Sequence, residues 1–126
     1  MIKFFTKYKI IFYSSNFILI LLYLFPGSLI GCFLYNDCKL QPQITRDYII
    51  SSNHLYAFAI LSLIGFLTYK NSKKKRYLIG YLIAVSIFLE IFHNFIPERS
   101  FEYSDLFGNL AGVIIVIIVF NLLKIY

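Results

Sequence analysis

Four apolar stretches, at about residues 10–35, 54–69, 77–96 and 106–123, are separated by short polar segments. Each approaches the ~20 residues that cross a bilayer core as a helix, and lipid leaves a backbone no other way to satisfy its own polar groups unless it closes into a barrel. Helices are therefore predicted over about 10–35, 52–69, 77–96 and 105–123. Ser51, Ser52 and Asn53 supply cap residues for the second of these, which is the shortest. Pro26 and Gly27 interrupt the first, so a kink or an early end is expected there, with residues 28–35 near a membrane interface. The predicted fold is all-α: a single domain over residues 1–126, built as an integral membrane four-helix bundle.

Composition strengthens this reading. Hydrophobic residues make up 60% of the 126 residues and charged ones only 14%, against about 45–50% and about 25% in soluble domains. The net charge of +6 does not indicate a nucleic-acid partner, because the basic residues bracket the apolar runs and do not form one basic face. They also orient the chain. One side would carry Lys3, Lys7 and Lys9, the group Lys70, Lys73, Lys74, Lys75 and Arg76, and Lys124; the other would carry Lys39, Arg46 and Arg99. The side richer in Lys and Arg is cytoplasmic, which places both termini there. The basic run at 70–76 reads first as a solvated stop signal, and second as an anionic-lipid contact.

Tyr8, Tyr35, Tyr48, Tyr69, Tyr77, Phe101, Tyr103 and Tyr126 fall near stretch ends, as interfacial anchors do. Leu29-Ile30-Gly31-Cys32 fits a bacterial lipobox, but the apolar run is longer than a signal-peptide core and continues past Cys32. A retained first helix is the preferred expectation. Cys32 and Cys38 fit no closed metal pattern; a disulfide is permitted if their loop is extracytoplasmic, and two free thiols are the alternative.

Candidate chemistry concentrates between Glu90 and Gly112. Glu90, His93 and Pro97 share one helical face, and Asp105, Asn109 and Gly112 share another. At 1.5 Å per residue, Glu90 lies roughly 10 Å below Pro97 and Asn109 roughly 6 Å below Asp105. His54 opens the second helix at the same level. An ionisable group at the bilayer centre costs at least ~2.5 kcal/mol, so Glu90 is expected to face protein or water, with His93, His54, Arg99 or Asn109 as partner. The candidate cluster is His54, Glu90, His93, Arg99, Asp105 and Asn109. A single Glu-x-x-His is half of a di-iron pattern, and no H-E-x-x-H zinc spacing is present. No metal, cofactor or catalytic role is therefore assigned from the sequence. A structural polar network and acid–base chemistry by Glu90 and Asp105 both remain open.

These residues resemble the VanZ-like membrane proteins, whose hallmark of spaced Glu, Gln, Pro, Arg, Asp, Asn and Gly corresponds here to Glu90, His93, Pro97, Arg99, Asp105, Asn109 and Gly112. His54 with Phe58 four residues later is similar to the family's upstream helix. The chain departs from the pattern at His93, which replaces Gln, at Ile50-Ser51, which replaces Asp-Lys, and at Val116, which replaces Gly. The resemblance implies a multi-pass protein of the bacterial cytoplasmic (inner) membrane, part of the cell envelope. The family's named member is linked to low-level resistance to the glycopeptide teicoplanin; nothing in these residues reads a glycopeptide. The leading functional expectation is binding of a membrane lipid, an anionic headgroup or a lipid-linked envelope precursor, at an outer polar pocket. The alternatives are an envelope enzyme and a small proton-coupled transporter that would work as a homo-oligomer.

Overall fold

A computed structural model of the chain describes all residues except Met1, Tyr48, Asn71, Glu98 and 124–126, and all side chains except those and residues 2–7. The side chains of Lys3, Lys7, Tyr48, Lys124 and Tyr126, invoked above, therefore lie outside the described residues. The described chain is helical: α1 (Ile2–Leu24), α2 (Leu29–Tyr35), α3 (Ser52–Thr68), α4 (Lys75–Phe92) with a 3-10 turn at His93–Phe95, and α5 (Tyr103–Leu122). No strand occurs among the described residues.

The first apolar stretch ends early and turns. Proline disfavours helical backbone in the residue before it, and Gly27 adopts a φ of 87°, open to glycine at no steric cost. The α1 axis from Tyr8 to Leu24 and the axis of α2 consequently meet at 84°. Ser28 caps α2 by accepting the Gly31 N–H at 2.9 Å. A disulfide joins Cys32 to Cys38, and the Ser28 N–H donates to the Cys38 carbonyl at 2.6 Å, so α2 and the segment after it form one stapled unit.

At the start of α3 the capping differs from expectation. Ser51 occupies the cap position but makes no side-chain cap bond. Asp47 supplies it instead, its carboxylate accepting the Ser52 N–H and hydroxyl, each at 2.9 Å. The Ser52 backbone N–H is the largest of the influences that hold Asp47 below the usual carboxylate range.

α4 with its 3-10 turn (21 residues) and α5 (20 residues) are each long and apolar enough to cross a membrane, and the bent α1–α2 pair would make a third such span. α3, at 17 residues, is a shorter apolar helix. Side chains fix the packing directions. Thr68 reaches the Tyr8 carbonyl and Tyr23 meets His54, so α1 and α3 run antiparallel. Phe66 packs on Phe120 while Gly108 faces His54, so α3 and α5 run parallel. Tyr81 bonds Asn16 and His93 bonds the Tyr23 carbonyl, which sets α4 parallel to α1.

The core contains Phe12, Phe58, Phe66, Leu82, Val113 and Phe120. Outward-facing positions are apolar as well: Phe17, Ile60, Leu67, Phe88, Ile114 and Leu122 are all exposed. A continuous apolar exterior of that kind marks an interaction surface in a water-soluble protein and is the ordinary exterior in lipid.

Candidate functional site

Helix directions bring the C-terminal ends of α1 and α4 and the N-terminal ends of α3 and α5 to one end of the molecule. His54, Glu90, His93, Asp105 and Asn109 meet there. Glu90 and Asn109 are fully buried and His93 is 1% exposed, whereas His54 and Asp105 keep 15% and 20% of their side-chain surface open.

Hydrogen-bond geometry assigns the donors. Asn109 Nδ2 donates to the Ser86 carbonyl at 3.0 Å, so its Oδ1 faces the cluster as an acceptor. The Tyr23 hydroxyl donates to that oxygen at 2.7 Å. His54 Nδ1 lies 2.9 Å from both the Tyr23 hydroxyl and Asn109 Oδ1. With the tyrosine proton committed to Asn109, both neighbours of Nδ1 are acceptors and Nδ1 carries hydrogen. His54 Nε2 is then the outward nitrogen, 3.7 Å from Asp105 Oδ1.

The same reasoning fixes His93. Its Nε2 lies 3.0 Å from the Tyr23 backbone carbonyl, which can only accept, so Nε2 is the donor. Nδ1 faces Glu90 Oε2 at 3.3 Å. Glu90 Oε1 accepts the Glu102 N–H at 3.1 Å, but Oε2 is buried without a hydrogen-bond partner, 3.9 Å from His54 Nδ1. Leaving a buried polar atom unsatisfied costs about 1–3 kcal/mol, and more when it is charged. One carboxylate oxygen is thus held in the protein interior beside two imidazoles, with nothing donating to it.

Arg99 stands apart from this cluster. Its Nε donates to the Phe25 carbonyl at 3.1 Å and its Nη2 to the Leu22 and Gly27 carbonyls at 2.9 and 2.6 Å. It therefore closes the end of α1, whose last carbonyls have no helical partner. Burial lowers its pKa, while the fields of Tyr23, Asp105 and Glu90 act in the opposite sense. Nη1 has no hydrogen-bond partner among the described residues, and Arg99 lines a cavity.

That cavity has a volume of about 670 Å³ and opens beside the cluster. Its lining is mixed: Leu19, Leu22, Ile30 and Ile60 are among the apolar residues, and Lys39, Arg99, His54, Asp105 and Glu102 among the charged and polar ones. A drug-sized or headgroup-sized ligand needs about 300–1,000 Å³.

Spacing missed Tyr23, Ser86 and Glu102. Tyr23 lies inside an unbroken apolar run where an aromatic reads as core, and Ser86 and Glu102 act through backbone atoms that no side-chain motif reports. Phe58, four residues after His54, is fully buried and edge-on to Tyr23. Comparison with protein-family models, with curated proteins and with solved structures yielded no match to this chain.

Proposed function

We propose that the chain is a multi-pass protein of the bacterial cytoplasmic membrane, VanZ-like in its motif, that binds the polar head of a membrane lipid or lipid-linked envelope precursor. The observation that carries this reading is the mixed lining of the cavity, in which apolar side chains such as Leu19, Leu22 and Ile60 accompany Lys39, Arg99 and His54. An amphiphile with an anionic head matches such a lining, and the Arg99 guanidinium, whose Nη1 has no partner among the described residues, is the natural donor for a phosphate or carboxylate oxygen.

In this reading α1, α3, α4 and α5 form a four-helix membrane bundle with both termini cytoplasmic. Two independent features support that orientation. Lys and Arg are concentrated at the end opposite the cavity, and the Cys32–Cys38 disulfide lies on the cavity side, which suits an oxidising compartment. A second reading, an envelope enzyme, is favoured by Asp105 alone: it is a half-buried carboxylate bordering the cavity and facing His54 Nε2.

Lipid analysis of the protein purified in mild detergent tests the binding reading. Wild type should retain one anionic lipid class well above its abundance in the membrane, and Arg99→Ala should lose at least half of that enrichment. Retained lipids that mirror the bulk membrane in both proteins would overturn it.

A further inference from the structure

Each histidine of the cluster has one nitrogen tied to the protein and the other pointed at a carboxylate. His54 Nδ1–H is held by Asn109 Oδ1 and the Tyr23 hydroxyl, leaving Nε2 toward Asp105. His93 Nε2–H is held by the Tyr23 carbonyl, leaving Nδ1 toward Glu90. An imidazole that ligates a metal is arranged in this way: the far N–H is anchored by an acceptor, which fixes the ring and directs the bare nitrogen at the ion.

His54, Glu90 and Asp105, from three different helices, each offer one ligand atom, and these atoms lie within 4.8 Å of one another. Ligands at ~2.1 Å around a tetrahedral ion sit about 3.4 Å apart, a contraction that side-chain rotation of Asp105 and His54 supplies. A second, independent observation points into the same space. Glu90 Oε2 is fully buried, has no hydrogen-bond donor, and faces the lone-pair side of His93 at 3.3 Å. Two electron-rich atoms that close require a positive charge between or beside them.

We propose that His54, Asp105 and Glu90 bind a divalent first-row transition-metal cation of the zinc type, with Asn109, Tyr23 and His93 orienting the donors. One imidazole and two carboxylates suit zinc and its neighbours better than calcium or magnesium, which take oxygen ligands almost exclusively. His54 and Asp105 also line the cavity, so the ion borders it and has a coordination position open to a ligand. This inference does not rest on the lipid reading.

The test uses untagged full-length protein in detergent, stripped with a chelator and titrated with Zn²⁺ by calorimetry and with Co²⁺ by visible absorption. Wild type should take up one ion per chain and give a Co²⁺ d–d band that added Zn²⁺ removes. Asp105→Asn and His54→Gln should each weaken Zn²⁺ binding at least ~10-fold while the proteins stay monodisperse and helical. No binding by folded wild type would overturn the proposal, leaving a shared proton between Glu90 and His93. So would binding that both variants keep, which would locate the ion elsewhere. Lipid enrichment measured on the stripped protein separates the two readings: failed metal uptake with lipid retained overturns the cation site alone, and stoichiometric metal uptake without lipid enrichment overturns the lipid reading alone.

Discussion

Tyr23 is the residue on which the site's order depends most directly. Its hydroxyl bonds Asn109 and His54, its carbonyl accepts from His93, and its ring stacks on His93 and packs edge-on to His54. Tyr23→Phe keeps the ring and the carbonyl and removes only the hydroxyl. Since a net intramolecular hydrogen bond contributes about 0.5–1.5 kcal/mol, with similar values inside membranes, the substitution should lower stability by about 1 kcal/mol. Reversible unfolding in detergent measures this. An unchanged midpoint would mean that the hydroxyl leaves His54 and Asn109 no better ordered than a phenyl ring does. Residue identity at this scale was only partly legible beforehand. The titratable members of the cluster announce themselves, because a charge in an apolar stretch is conspicuous. Tyr23 does not, because a tyrosine in such a stretch is compatible with a core role or an interfacial role, and only the approach of α3 and α5 decides.

Among elements, the contact between α3 and α5 sets the geometry of the site. Gly108 and Gly112 let the two backbones approach: a Cβ on Gly112 would meet the Leu55 carbonyl at 2.5 Å and the Ala59 nitrogen at 2.8 Å. These are backbone atoms that cannot step aside. The Gly108-x-x-x-Gly112 spacing is the sequence signal for such close approach in membranes. Gly112→Val should therefore force the helices apart and cost at least the ~1–3 kcal/mol typical of overpacking. It should also move His54, on α3, away from Asn109 on α5. A thermal unfolding scan reads the first effect, and loss of the cross-helix contact in NMR spectra reads the second; a variant as stable as wild type would show that the interface is looser than described. The bend between α1 and α2 belongs to the same scale. Pro26 and Gly27 made a break legible, but not its 84° angle or the bonds that Arg99, seventy-odd positions along the chain, donates to the Leu22, Phe25 and Gly27 carbonyls around it.

For the whole molecule, the proposed orientation makes a prediction independent of any ligand. Alkaline phosphatase, active only outside the cytoplasm, should be active when fused after Lys39 and inactive when fused after Lys73. A green fluorescent protein at the C-terminus should fluoresce. The reverse pattern would put the cavity on the cytoplasmic side and sink both the orientation and its use of the disulfide. The charge distribution and the Cys32–Cys38 bridge are different kinds of signal, one acting at insertion and the other set by the redox compartment.

From the sequence came the helical class and the approximate limits of the long apolar helices. These follow from local rules: apolar run length, a repeat of 3.6 residues, and the alternation of direction imposed by short connections. Only the tertiary structure decided that Tyr23 joins the cluster, that Arg99 serves the end of α1, and which nitrogen of each histidine is committed. Those facts depend on the rotation and separation of helices whose contacting residues lie 31 to 86 positions apart, and periodicity along one helix carries no information about how closely another approaches it.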